Sequence, residues 1–355
     1  MKKLCLIPLV IILAGALILG GCAEPAPAPA PAPTPAPTPA PTPAPPKVEF
    51  PESISWSNRN DTDATAIRII ATNALWEREL GMPCLLTVVG STKAAIDKLV
   101  AGELELCTAG YRDQHHAYHG TADYAEMGKS DLRQVISHGP VYMVFYTVPR
   151  TGIKTIKDFA EQRVGYSSVR AVILTEFGSA VLEYEGVLDK IIDLPSLPMA
   201  ERHSGLAEDT VDVTCGAAQH MNLVWRNSSD AYLVSIPKEA GEYAISKYPF
   251  LKWDTVPEDW KSLTFPPGMG AMVTTTGTIC RSDMSEDVVY ELLKVMYDNF
   301  DELLPVHPTF AEVAINFVVD PKMVIPYHPG AVKFYEERGV WTAEAEETQK
   351  KLLAK

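Results

Sequence analysis

Apolar residues recur along this chain at two alternating periods. Ser53-Ile54-Ser55-Trp56-Ser57 alternates like a strand, and Ile67, Ile70, Ala71, Ala74 and Leu75 then fall at helical spacing until Gly81 and Pro83 stop them. Residues 84–89 predict a buried strand, 92–100 a helix with Ala95, Ile96, Leu99 and Val100 inward, 104–109 a strand, and 114–118 the start of a short helix. A strongly β-forming run extends from Val135 through Val141 to Val148. The pattern then repeats, with a short helix at 155–159, a strand at 163–166, and helices at 171–185, closed by Gly186, and at 198–208. Strands are predicted at 211–215, 231–236 and 272–280. A clear helix follows at 285–300 with Ser282 or Asp283 as cap, and two more lie near 307–318 and 331–338.

Strands separated by helices favour right-handed crossovers and parallel sheets. Two such blocks, with β-rich connectors near 141–148 and 271–280, predict two α/β lobes joined by two chain crossings: 48–145 and 273–355 forming lobe 1, and 146–272 forming lobe 2. Ligands of open α/β sheets sit beyond the carboxyl ends of the strands, where hinge closure can trap them.

The N-terminal segment changes the expected compartment. Lys2 and Lys3 precede an apolar run, Leu4 to Leu19, broken by Pro8 and Gly15 and short for a membrane span. Leu19-Gly20-Gly21-Cys22 resembles a lipobox, which implies a signal peptide over 1–21, cleavage before Cys22 and lipid on its sulfur. Residues 22–47 carry a Pro/Ala/Thr repeat that favours extended polyproline II, a semi-rigid tether of about 25 residues reaching on the order of 75 Å. The expected location is extracytoplasmic, lipid-anchored at a membrane. A formal charge of −14 speaks against a nucleic-acid partner. Of 6 cysteines, Cys5 goes with the signal. Cys84, Cys107, Cys215 and Cys280 are too widely spaced for a zinc knuckle; buried free thiols are the default reading, and a disulfide stays open.

No nucleophile elbow, His-Glu-x-x-His or phosphate-cradling glycine loop occurs, so no enzyme is expected. His115 and His119 would share a helix face but lack a third ligand, so neither a metal nor another cofactor is expected. Binding candidates gather where strands are predicted to end: Asn58 and Arg59, Ser91 and Thr92, Tyr111 and Arg112, Ser167, Ser168 and Arg170, and Gln219.

Gly90-Ser91-Thr92 through Gly102-Glu103-Leu104 resembles the glycine-Ser/Thr, helix, Gly-Glu, strand block of TAXI-type solute receptors, which serve TRAP transporters. Ala117-Tyr118-His119-Gly120, Leu132 to Val135, and Gly152 to Phe159 with Arg163-Val164-Gly165 are similar to further family segments. Tyr327-His328-Pro329-Gly330-Ala331, continuing to Gly339, resembles the family's closing element. The resemblance implies an α/β, type II periplasmic-binding-protein fold, two lobes around a ligand cleft, capturing a small organic anion or amino acid for a TRAP-type membrane permease. Two turns depart from the family's glycine-rich pattern, Asn58 to Asp63 and Ser167 to Arg170. Arg59 and Arg170 put positive charge there and would pair with carboxylate. Asn58, Ser91, Thr92, Ser167, Ser168 and Gln219 would orient it, and Trp56 and Tyr111 would wall the cleft. An ABC-importer or sensory receptor, a lipid-anchored enzyme and an adhesion module are the competing readings.

Overall fold

The first alternating run forms strand β1, Ile54–Asn58, and helix α1, Ala64–Leu80, follows it. Asp63 caps α1 by accepting from the Ala66 amide, and Gly81 closes it in the left-handed region at φ 70°, a conformation glycine adopts without steric cost. Next come β2 (Cys84–Val88), α2 (Thr92–Val100), β3 (Leu106–Gly110) and α3 (Tyr111–His119). β1 runs parallel between β2 and β3. The computed structural model describes residues 48–167, 172–195, 197–218, 224, 227–256, 268–316 and 318–354, and Val48–Lys355 forms one compact unit.

Two long strands organise the rest. β4, Leu132–Thr147, has 16 residues and β10, Gly270–Arg281, has 12. At about 3.4 Å per residue they span roughly 50 and 40 Å, longer than either α/β block alone requires. Between them lie β5 (Arg163–Gly165), α4 (Val172–Tyr184), β6 (Ile192–Asp193), α5 (Met199–Ala207), β7 (Val213–Ala217), β8 (Tyr232–Val234), α6 (Lys238–Lys247) and β9 (Lys252–Thr255). After β10 come α7 (Glu286–Asp298), α8 (Pro329–Glu337) and α9 (Ala343–Leu353).

The sheet order is β2-β1-β3-β10-β4-β7-β5-β6, with β8 beside β4 and β9 beside β10. The second half of β10 pairs with β3 and its first half with β9, while the second half of β4 pairs with β7 and β8. β4 and β10 pair with each other along both halves, with register shifts at Thr275/Gly277 and Thr278/Ile279. Two α/β halves thus share two antiparallel strands, and the first shift falls opposite Ser137 to Pro140, where the strands pass from one half to the other, and the second opposite Gln134 to Ile136.

One apolar cluster continues through both halves on a single sheet face, joining Leu99, Leu132 and Ile279 to Phe145, Phe177 and Val213. A second cluster, with Ile69, Trp76, Leu292, Phe334 and Tyr335, packs α1, α7 and α8 on the first half.

Several sequence expectations need correction. The run beginning at Cys84 is an edge strand rather than a buried one, with Leu85 and Val88 each 52% exposed. Val100 faces outward at the end of α2. Helix α7 begins after Ser285; Ser282 instead donates to Asp131, and Asp283 accepts from Arg281. The segment expected as a helix near 307–318 contains a short 3-10 turn, Pro308–Val313. β6, β9, α6 and α9 went unread, because their burial depends on neighbours distant in sequence. The four described cysteines are free and buried, as the default reading held.

Candidate solute site

The strand ends hold the chemistry. After β1, Asn58 is buried, and its amide donates to the Asn60 carbonyl (3.0 Å) and to Asp63 (2.9 Å). Asn60 donates to Asp63 and accepts from the Thr62 and Asp63 amides. The turn therefore satisfies itself. Because the Asp63 carboxylate already occupies the positive end of α1, that helix terminus is a poor anion site. Arg59 points outward and acts electrostatically on Asp113. The turns after β1 and β3 are thus neighbours.

Ser91 caps α2 by accepting from the Ala94 amide, which explains its place in the sequence without a ligand, and Thr92 is half-buried. The expected walls are core residues. Tyr111 is 0% exposed, receives a hydrogen bond from Gln134 (3.3 Å) and lies under the Lys252 ammonium. Trp56 is 4% exposed, donates to Thr108 (3.1 Å) and stacks on Trp76. Both were expected to line the cleft because aromatic residues beside polar strand ends often do. Here their rings turn into the core.

After β5, Arg202 on α5 donates to the backbone carbonyls of Ser167 and Leu197. The Ser167 hydroxyl is buried with no partner among the described residues. Thr214 and Cys215 bind the Gly165 and Tyr166 carbonyls from β7, and Tyr146 binds the Ala217 carbonyl. The turn is thus held by its backbone, leaving the Ser167 hydroxyl uncommitted. Ser168, Arg170, Gln219 and Cys22 lie outside the described residues.

Three further polar groups stand out: sequence reasoning placed Arg112 among the strand-end candidates but missed His138 and Arg202. Arg112, 8% exposed at the start of α3, donates to Glu176 of α4 (2.8 Å) and to Asp123 (3.1 Å). Burial works against its charge, yet the contacts with Glu176 and Asp123 raise its pKa on balance. Its position directly after β3 was the available signal; its carboxylate partner was not legible. The second group, His138, sits on β4 where the halves meet. Its Nδ1 faces Arg68 (3.4 Å) and Thr276 (3.3 Å), and its Nε2 faces Thr278 (2.9 Å). Arg68 can only donate, so Nδ1 accepts and the proton sits on Nε2. Burial and the adjacent guanidinium hold the imidazole well below its usual pKa, so it is neutral. A cavity of about 10 Å³ beside Arg68, Thr72 and His138 has room for about one water. Arg202 is the third.

A groove of about 740 Å³, lined by Lys154, Lys157, Tyr184, Glu185, Ser235 and Glu239, lies elsewhere. It touches the far end of α4, some 20 Å along the helix from the strand ends. Among the described residues no group of three or more His, Cys, Asp or Glu side chains could hold a metal ion.

Two α/β halves that share two strands, with polar turns at their strand ends, define a type II periplasmic-binding-protein fold. The chain belongs to the NMT1-like family, a periplasmic solute-binding family, whose pattern matches residues 68–339. It is similar to the alkanesulfonate-binding protein SsuA of Xanthomonas axonopodis pv. citri bound to MOPS, at 12% identity and TM-score 0.42 over 86% of this chain and 96% of that one. PhnD1 of Prochlorococcus marinus, in complex with methylphosphonate, matches at 10% identity and TM-score 0.46 over 72% and 90%. A structure described as a periplasmic transporter matches at 12% identity and TM-score 0.48 over 84% and 95%.

Proposed function

We propose that this protein is an extracytoplasmic receptor, tethered through Cys22, that captures a small carboxylate-bearing solute between lobes 48–145 with 273–355 and 146–272 and delivers it to a TRAP-type permease. The observation that carries the reading is the sharing of β4 and β10 by two α/β halves, which makes hinge closure around strand-end turns mechanically available. Arg59, exposed beside the strand ends, pairs with the carboxylate, and the uncommitted Ser167 hydroxyl orients it. Ser168, Arg170 and Gln219 are the further residues assigned to binding. The receptor binds and releases; it performs no chemistry.

Calorimetry of the purified protein against carboxylates, amino acids, sulfonates and phosphonates tests this. Saturable binding of a carboxylate, weakened in Arg59→Ala, supports it. No heat from any class, or binding indifferent to Arg59, rejects the reading or that residue's role. Uptake into vesicles holding the partner permease separates the transport systems: dependence on an ion gradient supports TRAP delivery, and dependence on ATP assigns the receptor to an ABC importer.

A further inference from the structure

Three carboxylates surround one guanidinium where α3 of one half meets α4 of the other. Asp113 and Asp123 come from the same half as Arg112; Glu176 comes from α4, in the other half. Arg112 Nε donates to Glu176 Oε1 at 2.8 Å, and the Glu176 side chain is 14% exposed. Glu176 Oε2 finds no partner among the described residues, so Arg112 is the strong tie that Glu176 has. A second ion pair joins Lys252 of β9, directly beside β10, to Asp320. Any bend on β4 and β10 displaces that pair little, because it sits close to the axis. The Arg112–Glu176 contact joins two helices standing off the sheet, where the same rotation gives a larger separation.

We propose that Arg112 and Glu176 form an ionic latch between α3 and α4 that favours the closed arrangement and so tunes the affinity of the solute site. This rests on the receptor reading above. A largely buried charge pair loses much when one partner is removed, since the remaining charge keeps its desolvation cost. A receptor whose binding-competent closed form is less populated shows a proportionally weaker apparent affinity. Opening the latch therefore weakens binding without touching a solute contact, and it also speeds loading.

The test compares the full chain with Glu176→Gln, which keeps the shape and removes the charge, and Glu176→Lys, which opposes Arg112. Glu302→Gln breaks the exposed Arg78–Glu302 pair within one half and serves as the control. Small-angle scattering without solute should show a larger radius of gyration for Glu176→Lys, an intermediate one for Glu176→Gln and none of this for the control, with circular dichroism unchanged. Hydrogen exchange in α3 and α4 should quicken together, and once a solute is known its Kd should rise about tenfold in Glu176→Gln. Unchanged scattering and exchange in both Glu176 variants would overturn the latch. Failure to find any solute would reject the receptor reading and leave the scattering result standing.

Discussion

Arg202 donates through its guanidinium to the backbone carbonyl of Ser167, and through Nε to that of Leu197 at 2.7 Å, so one buried side chain sets the turn at the end of β5. The planar fork reaches two carbonyls at once, which an ammonium cannot do at the same geometry. Arg202→Lys is expected to lower stability by about 1–2 kcal/mol and to weaken solute binding by mispositioning the Ser167 turn. Urea denaturation and calorimetry on the same preparation measure the two effects.

Asp212 accepts from the Arg163 amide and side chain and from Arg150. Burial pushes its pKa upward, but the hydrogen bonds from Arg163 and Arg150 outweigh burial and hold the carboxyl well below the usual range. With the folded pKa depressed, the unfolded state takes up the proton first as pH falls. The stabilisation is complete above about pH 4, where the unfolded carboxyl ionises, and declines as pH drops below that toward the folded value. Asp212→Asn should cost about 2 kcal/mol at pH 7 and progressively less as pH falls below about 4 toward the folded value, as read by urea midpoints across that range.

His138 titrates with the same sense at a higher pH. Its folded pKa lies below the unfolded value, so stability is full above about pH 6.5 and falls below it, by at most about 1.4 kcal/mol per pH unit while the folded imidazole stays neutral. His116 and His328 are also lowered by burial and add to this slope. His138→Gln should flatten the dependence between pH 6.5 and 5 by about one proton's worth. A variant with the wild-type slope would show that His138 does not carry this ionisation.

Gly330 packs against α7 so closely that a Cβ would stand 2.2 Å from the Glu286 carbonyl oxygen and 3.1 Å from the Tyr290 nitrogen. Both obstacles are backbone, so neither can rotate away. Gly330→Ala should destabilise the protein by about 3 kcal/mol, seen in thermal and urea unfolding, with solute affinity per folded molecule preserved. This accounts for the closing His328-Pro329-Gly330 element in physical terms. His328 caps α8 by accepting from the Gly330 amide and contacts the Met284 carbonyl, Pro329 fits the first helical turn, and Gly330 allows the approach.

The periodicities around α1, α2, α4 and α7 were enough to place those helices, because amphipathic spacing and glycine or proline stops are local properties. The strand ends were legible for the same reason, so Ser167 and Arg112 stood in positions worth inspecting. Which way a side chain turns there was not legible. Trp56 and Tyr111 have the composition of cleft walls, yet the facing elements, Trp76 on α1 and Gln134 on β4, draw them inward. Asn58 braces the turn before α1 and Ser91 caps α2, because each found a backbone or carboxylate partner within a few residues.

The order of most strands and helices and the departures from glycine-rich turns follow from the sequence alone, since each depends on neighbours a few positions away; the free state of the buried thiols does not. Tertiary structure decided that β2 is an edge, that β4 and β10 serve both halves, and that Arg112 meets Glu176 across 64 positions of chain. Pairings over such separations depend on how whole layers stack, and no local period records that.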